Sequence, residues 1–267
     1  MEIIGFLLAA LVGISLGLIG GGGSILTVPL LVYVLGINPL LATSYSLFIV
    51  GATSMVGAIN HYSKGLVRIK TALLFGATSI TTVFFTRKVL LPKIPSILFS
   101  NTEFTITKAT ATMVLFAILM LLASIAMIKE GKEATNKGEP TKQPVTPIFQ
   151  LSFYGVLIGL ATGFLGAGGG FLLIPALVLI VKMPMKQAVG TSLLVIGLNS
   201  LIGFTGDIGQ ISIDWQFLLR ITAVAIVGIF IGGLLAKKID GSKLKKAFGW
   251  FVLAMSLYII LKELFAV

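Results

Sequence analysis

The sequence predicts an all-α polytopic membrane protein built from two inverted repeats, each a glycine-broken helix pair followed by three transmembrane helices. Three observations predict it. The chain of 267 residues is 57% hydrophobic and only 11% charged, with a mean hydropathy of +1.07, too apolar for a soluble domain. Two of its oily stretches are interrupted by runs of glycine. The second half of the chain repeats the first.

Apolar runs near the roughly 20 residues needed to cross a ~30 Å hydrocarbon core fall at 3–19, 40–60, 67–86, 109–128, 148–165, 187–205, 215–235 and 244–261. The opening MEIIGFLLAALVG has no Lys or Arg ahead of its apolar run, so it reads as a first helix and not as a cleaved signal. Shorter apolar pieces at 24–36 and 171–181 follow the glycine runs.

A shift of 146 aligns GISLGLIGGGGSILTVPLLV (13–32) with GLATGFLGAGGGFLLIPALV (159–178), with nine of 20 positions identical. The same shift pairs ATSYSL (42–47) with AVGTSL (188–193), and Ser54 and Gly57 with Ser200 and Gly203. This is an internal duplication. The polar, proline-bearing stretch 129–147 separates a first repeat, 1–128, from a second, 148–267. If each glycine-broken pair returns to its starting side, each repeat crosses an odd number of times and the two must be inverted. Alternating the loops gathers fourteen Lys and Arg on one side and five on the other, Arg87 and Lys88 among the five. The lysine-rich side, linker included, is then cytoplasmic and both termini face out. The segment 87–108 is an extracytoplasmic excursion in this scheme. A net charge of +11 follows from the same rule and calls for no nucleic acid.

The pieces after each break are too short to cross a membrane, so their N-termini are expected inside it, presenting free N–H groups and a partial positive charge. An anion is the natural partner for such donors. The candidate contacts are Gly20, Gly21, Gly22, Gly23 and Ser24 in the first repeat and Gly166, Gly168, Gly169 and Gly170 in the second. Gly13, Gly17 and Gly21, like Gly155, Gly159 and Gly163, have instead the spacing of four that lets membrane helices approach closely. Pro29 and Pro175 are positioned to kink the shorter helices.

All nine carboxylates, Asp207 among them, read as loop or terminal residues, so no span contains an acid. That weighs against a cation carrier or a membrane hydrolase. The spans carry neutral donors instead, and Ser44, Ser46, Thr191, Ser192 and Asn199 join the candidate substrate contacts. Arg220, about five residues into its span, reads as an interfacial snorkel, with attraction of the anion as the alternative. His61, the single histidine, is an interfacial anchor or a proton relay. Zero cysteines exclude a disulfide framework and a thiolate metal site. No metal and no cofactor are called for, and the partners expected are a small anion and membrane lipid.

The paired GLIGGGGSILTVPLL and GFLGAGGGFLLIPAL, the ATSYSL and AVGTSL that follow them, and Gly209, Ile211 and Trp215 resemble the TauE/SafE family of membrane anion exporters. Thr71 stands in the first half where Trp215 stands in the second. The resemblance implies transport of a small sulfur-containing anion and leaves its direction open; the whole sequence is read as a secondary transporter of the cell membrane that moves sulfite or an organosulfonate by alternating access, in the direction of export. Import of another oxyanion, such as sulfate or thiosulfate, is the alternative within transport, and a non-transporting scaffold the alternative outside it.

Overall fold

Lipid offers no hydrogen-bond partners, so a spanning chain must satisfy its backbone within itself, and this chain does so with helices. The structure, a computed structural model, describes residues 2–100, 105–129, 148–179, 181–235 and 241–265. Helix α1 (Glu2–Ile19) leads into a 3-10 helix (Gly20–Leu26), a short α2 (Thr27–Pro29) and a π turn (Leu30–Val34). Then follow α3 (Pro39–Tyr62), α4 (Ile69–Phe85), a π turn (Thr86–Leu90), α5 (Leu91–Lys93), a β1–β2 hairpin (Ile97–Ser100, Thr105–Thr107) and α6 (Lys108–Lys129). The second half runs α7 (Ile148–Leu165), α8 (Gly170–Leu179), α9 (Met185–Asp207), α10 (Trp215–Leu235) and α11 (Gly241–Phe265). Five described helical stretches, Pro39–Tyr62, Ile69–Lys93, Lys108–Ile125, Met185–Asp207 and Trp215–Leu235, are long and apolar enough to cross a membrane.

Both glycine-broken pairs double back. A methyl group on Gly5 would lie 3.6 Å from Leu35, so the end of the first pair returns beside its beginning. Leu151, Tyr154 and Val181 line one cleft, which gives the second pair the same return. Glu263 of α11 accepts a 2.8 Å hydrogen bond from the Tyr33 hydroxyl, and Lys262 lies 4.7 Å over the Tyr33 ring, tying the first return to the end of the chain. Pro29 has no N–H to give the turn before it, and the helix widens to a π turn directly after it.

The excursion expected at 87–108 is shorter than the sequence suggested. The helix continues through the π turn to Lys93, and beyond it Ile97–Ser100 pairs antiparallel with Thr105–Thr107, Ser100 opposite Thr105. Lys108 Nζ donates to the carbonyls of Leu91 and Ile94, closing the helix end with a cation, as a helix C-terminus favours. Apart from Lys129, the stretch 129–147 lies outside the described residues.

Glycine decides which helices meet. Added β-carbons at Gly13 and Gly17 would strike the backbone of α10 at Ala225 and Ile229, so α1 and α10 run parallel with main chains in contact. Gly159 meets Ser79 of α4 and Gly163 meets Thr86; displaced by 146, these are Ala225 and Gly232, the latter also lying against Gly17. Helices α3 and α9 cross antiparallel, Gly51 against Leu201 and Gly197 against Met55. Gly57 faces Ile229 and Leu193, whereas Gly203 faces Val83 and Leu47, and every one of these contacts maps onto its counterpart by the shift.

Two helix starts repeat the pattern. The Tyr45 hydroxyl accepts from the Asp214 N–H at the start of α10, 2.8 Å away, and the Thr191 hydroxyl accepts from the Arg68 N–H at the start of α4, 3.0 Å away. Each bond crosses from one half to the other. Apolar clusters around Met113, Phe116 and Val252, around Phe75 and Ile196, and around Leu47 and Phe204 fill the interior. Leu73, Phe149, Val227 and Trp250 are exposed on the outer faces, as lipid contact requires.

Overpacking a well-filled contact typically costs about 1–3 kcal/mol, and backbone in the way leaves little room to relax. Gly13→Val and Gly159→Val are therefore expected to lower the unfolding temperature in detergent. Gly233→Ala, which would meet nothing within 4 Å, is expected to stay within about 0.5 kcal/mol of wild type. Equal effects at all three positions would contradict the contact scheme.

Candidate anion site

The two breaks are not alike. In the first, Gly20 takes a left-handed φ of 71°, and the chain then re-enters a helix at once, with Gly21, Gly22, Gly23 and Ser24 inside the 3-10 segment. The expected fresh α-helix near Ser24 is thus replaced by a 3-10, α and π succession. In the second, Gly166, Gly168 and Gly169 all have φ near 67°, and a fresh α-helix begins at Gly170. Here the turn and the helix N-terminus have the form expected from the sequence.

Each break is seated on the other half. A β-carbon at Gly20 would strike the Val189 side chain, and one at Gly166 would strike Thr43, which is Val189 displaced by 146. Gly168 lies deepest. A β-carbon there would come within 2.8–2.9 Å of Val50 near the middle of α3, of Ile196 near the middle of α9, and of the Ser200 hydroxyl. Its left-handed φ of 66° and this crowding together require glycine.

The polar side chains around the turns divide into two groups. Several are committed to structure: Ser44 to Asp207, Thr191 to the Arg68 N–H, Ser192 to the Val189 carbonyl at 2.9 Å, and Asn199 to the Ser79 hydroxyl at 3.0 Å. Ser24 is buried and also partnered. Others are buried with no partner among the described residues: Ser46, Ser54, Ser200, Thr162 and Thr27. Thr162 lies against Gly169 as Ser200 lies against Gly168. Thr162 and Thr27 were not singled out from sequence; isolated hydroxyls in apolar runs look like any others until burial shows which lack partners.

His61 and Arg220 sit nearer helix ends. His61 Nδ1 is 3.0 Å from the Gly57 carbonyl, and the residue lines a narrow cleft with Gly17, Asn60, Leu193 and Gly233. Arg220 is exposed beside a cleft of about 120 Å³ that it shares with Phe6, Asp214 and Gln216. Helix α4 begins at Ile69 and α10 at Trp215, a separation of 146, so Ile69 and not Thr71 stands opposite Trp215. Trp215 stacks edge-on with Phe48 and Phe204.

The largest departure from the sequence reading is at Arg87 and Asp207, both expected in loops. Arg87 lies within the Ile69–Lys93 stretch, 1% exposed, and Asp207 closes α9, 4% exposed. Arg87 Nη1 donates to Asp207 Oδ2 at 2.9 Å and to the Ser44 hydroxyl at 3.2 Å, while Ser44 donates to the same carboxylate oxygen. Gly206 allows the approach, since a β-carbon there would come within 3.0 Å of Arg87 Cβ. The π turn that carries Arg87 belongs to a class of helix defect that gathers at functional sites. Displaced by 146, Ser44, Arg87 and Asp207 become Gly190, Gly233 and His61, so the charged triad occupies one end and the His61 cleft the other. Among the described residues no three His, Asp or Glu side chains gather as a metal site would need.

Helices of membrane-spanning length folded around buried, glycine-broken turns define a multi-pass membrane protein, and its relatives give the class. It is 32% identical over 253 residues to a “Probable membrane transporter protein” of Xylella fastidiosa (strain 9a5c), covering 94% of this chain and 91% of that one. It is 26% identical to the “Probable membrane transporter protein YdhB” of Bacillus subtilis (strain 168), over 89% of this chain and 91% of that one. The chain is a membrane transporter. Residues 5–259 match the family described as “Sulfite exporter TauE/SafE”, and the chain belongs to that family. No solved structure matches it.

Removing one member of a buried ion pair costs about 3–5 kcal/mol because the other charge is stranded, whereas replacing both with apolar residues is often neutral. Arg87→Met is therefore expected to destabilise by that amount, and Arg87→Met/Asp207→Leu to recover most of it in detergent unfolding. A single variant as mild as a surface substitution would contradict the buried pairing.

Proposed function

We propose that the protein is a secondary transporter that carries a small sulfur-containing oxyanion, sulfite or an organosulfonate, by alternating access, in the direction of export. The observation that carries this reading is the Gly168 turn. Backbone that only glycine can form is buried between the midpoints of α3 and α9, ahead of a helix N-terminus and against a serine hydroxyl with no partner among the described residues. Such a place offers N–H and O–H donors and no carboxylate, which suits an anion that must also leave. The family supports the substrate class.

An inverted arrangement of the halves, 1–128 and 148–267, is supported by the recurrence of contacts under the shift of 146 and by the antiparallel crossing of α3 and α9. The halves then exchange environments as the site opens to either face. Fourteen basic residues near the span ends on one side against four on the other, with Arg87 buried and paired with Asp207, favour that first side as cytoplasmic. The substrate contacts are assigned to Gly166, Gly168, Gly169, Gly170, Ser46, Ser54 and Ser200, with Gly20–Gly23 and Ser24 as the first half's contribution. In this reading an ion gradient, the substrate's own gradient or a partner supplies the energy of the cycle.

A buried hydroxyl with no protein partner contributes nothing to folding but can bind a ligand. Ser200→Ala is therefore expected to leave thermal stability unchanged or raised while weakening substrate affinity by roughly 2- to 10-fold, the equivalent of about 0.5–1.5 kcal/mol for one hydrogen bond. The measurement is flux in proteoliposomes over sulfite, sulfate, thiosulfate and taurine-like sulfonates. Unaltered affinity for whichever anion moves would remove Ser200 from the path, and no flux of any of them would overturn the substrate class.

Cysteines introduced into this cysteine-free chain test its orientation. Ser63→Cys and Lys186→Cys are expected to resist an impermeant thiol reagent in intact cells, and Gln210→Cys to react with it, all three positions being exposed. The opposite labelling pattern would invert the topology.

A further inference from the structure

The Arg87 guanidinium uses a single nitrogen. Its Nη1 serves both Asp207 and Ser44, whereas Nε and Nη2 are buried with no hydrogen-bond partner among the described residues. Those two nitrogens form the side-on edge of the guanidinium, the fork whose parallel N–H groups match two oxygens of one oxyanion. A buried cationic edge left unpaired is costly, so such an edge marks a place meant for a partner.

The surroundings fit that partner. Ser44 follows Thr43, on which the Gly166 turn is seated, and Thr86, next to Arg87, lies against Gly163 just ahead of the same turn. Asp207 is seven residues beyond Ser200 on α9, about 10 Å along the helix axis. The guanidinium therefore stands one short step along α9 from the Gly168 turn.

We infer that the free Nε/Nη2 edge of Arg87 is a binding station for a small oxyanion, taken side-on, with Asp207 and Ser44 holding the guanidinium by Nη1 and balancing its charge while the station is unoccupied. The inference rests on the anion-transport reading for the choice of ligand, not for the geometry. Asp207 is in this arrangement a positioning residue and a competitor. Its carboxylate lowers the attraction of the site for a second anion, so the anion is held weakly enough to leave. At the opposite end of the bundle the corresponding positions are Gly233 and His61, which offer no guanidinium edge.

The test uses the full-length protein in detergent, with sulfite as the probe at mildly alkaline pH and chloride at matched ionic strength as the control. Binding is followed by titration calorimetry and by thermal shift. Asp207→Asn removes the competing charge and keeps Arg87, so it is expected to bind sulfite at least tenfold more tightly than wild type and to be stabilised by sulfite well beyond chloride. Arg87→Lys keeps the charge but loses the fork, and is expected to bind at least tenfold more weakly. Arg87→Met/Asp207→Leu, which preserves folding without the charges, is expected to lose the Arg87-dependent part of the sulfite response. A purely structural ion pair would instead give an Asp207→Asn protein that responds to sulfite and chloride alike, and would leave the double variant's sulfite affinity at the wild-type value. Either result overturns the station. Should Asp207→Asn fail to fold, the Arg87→Lys and double variants decide the matter alone. If Ser200→Ala weakens binding while all Arg87 variants bind as wild type does, the station falls and the transport reading stands. Arg87-dependent binding without flux in liposomes has the reverse meaning.

Discussion

The structure depends on one constraint: a chain broken in the middle of a membrane must hide the break inside protein. Every backbone N–H and C=O released where a helix stops would otherwise face hydrocarbon at a cost of several kcal/mol. Here α3 and α9 supply the shelter. They cross where Gly51 and Gly197 let the backbones approach, and each carries the seat for the opposite half's break, Val189 for Gly20 and Thr43 for Gly166. The starts of α4 and α10 are closed in the same reciprocal way by Thr191 and Tyr45. Neither half completes its own hydrogen bonding, so the two are interlocked by chemistry as well as by packing.

That interlocking sorts the polar residues. A polar side chain needed to hold the scaffold has a partner in place, as Thr191, Ser192 and Asn199 do, and is poorly suited to release and rebind a ligand in each cycle. Among the described residues, the hydroxyls of Ser46, Ser54, Thr162 and Ser200 have no partner and are spared this work. Serine and threonine are tolerated in membrane helices because they can bond to a carbonyl of the preceding turn, as Thr53 does with Ile49. Buried hydroxyls that forgo that bond are therefore the informative ones.

The helical, multi-pass character and the return of each glycine-broken pair were legible from hydropathy and from the 146-residue repeat. The site was legible only in outline. Four consecutive glycines promised a wide turn at Gly20–Gly23, yet one left-handed residue suffices there, and it is the interrupted run from Gly166 that forms the open turn, with three left-handed glycines. The pattern of glycines shows where a helix can break, but the packing partner decides how. Arg87 and Asp207 escaped notice for a different reason. Each sits where an apolar run gives way to polar sequence, so each looked like the first residue of a loop, and the 120 positions between them hid the pairing. The signal available was the repeat itself, which sets Asp207 opposite the lone histidine and Arg87 opposite a glycine.

That difference bears on how a repeated scaffold can work in one direction. In the transport reading, contacts that recur under a shift of 146 residues let the two halves exchange roles at little cost, each arrangement using nearly the same set of packed neighbours. A scaffold of perfect symmetry would favour neither face. The Ser44, Arg87 and Asp207 triad ties α3, α4 and α9 at one end, where the other end has Gly190, Gly233 and His61 around a narrow cleft. Opening the tied end must part a buried ion pair or give the guanidinium a replacement anion, because a stranded charge in that setting is costly. Among the described residues, the other end has no charge pair of this kind to break. In the transport reading, the substrate anion is the natural replacement at the tied end, so the step that is unfavourable for the unoccupied protein becomes accessible to the loaded one. Coupling of that sort needs no acid in the middle of the membrane, only unequal ends on an otherwise repeated frame.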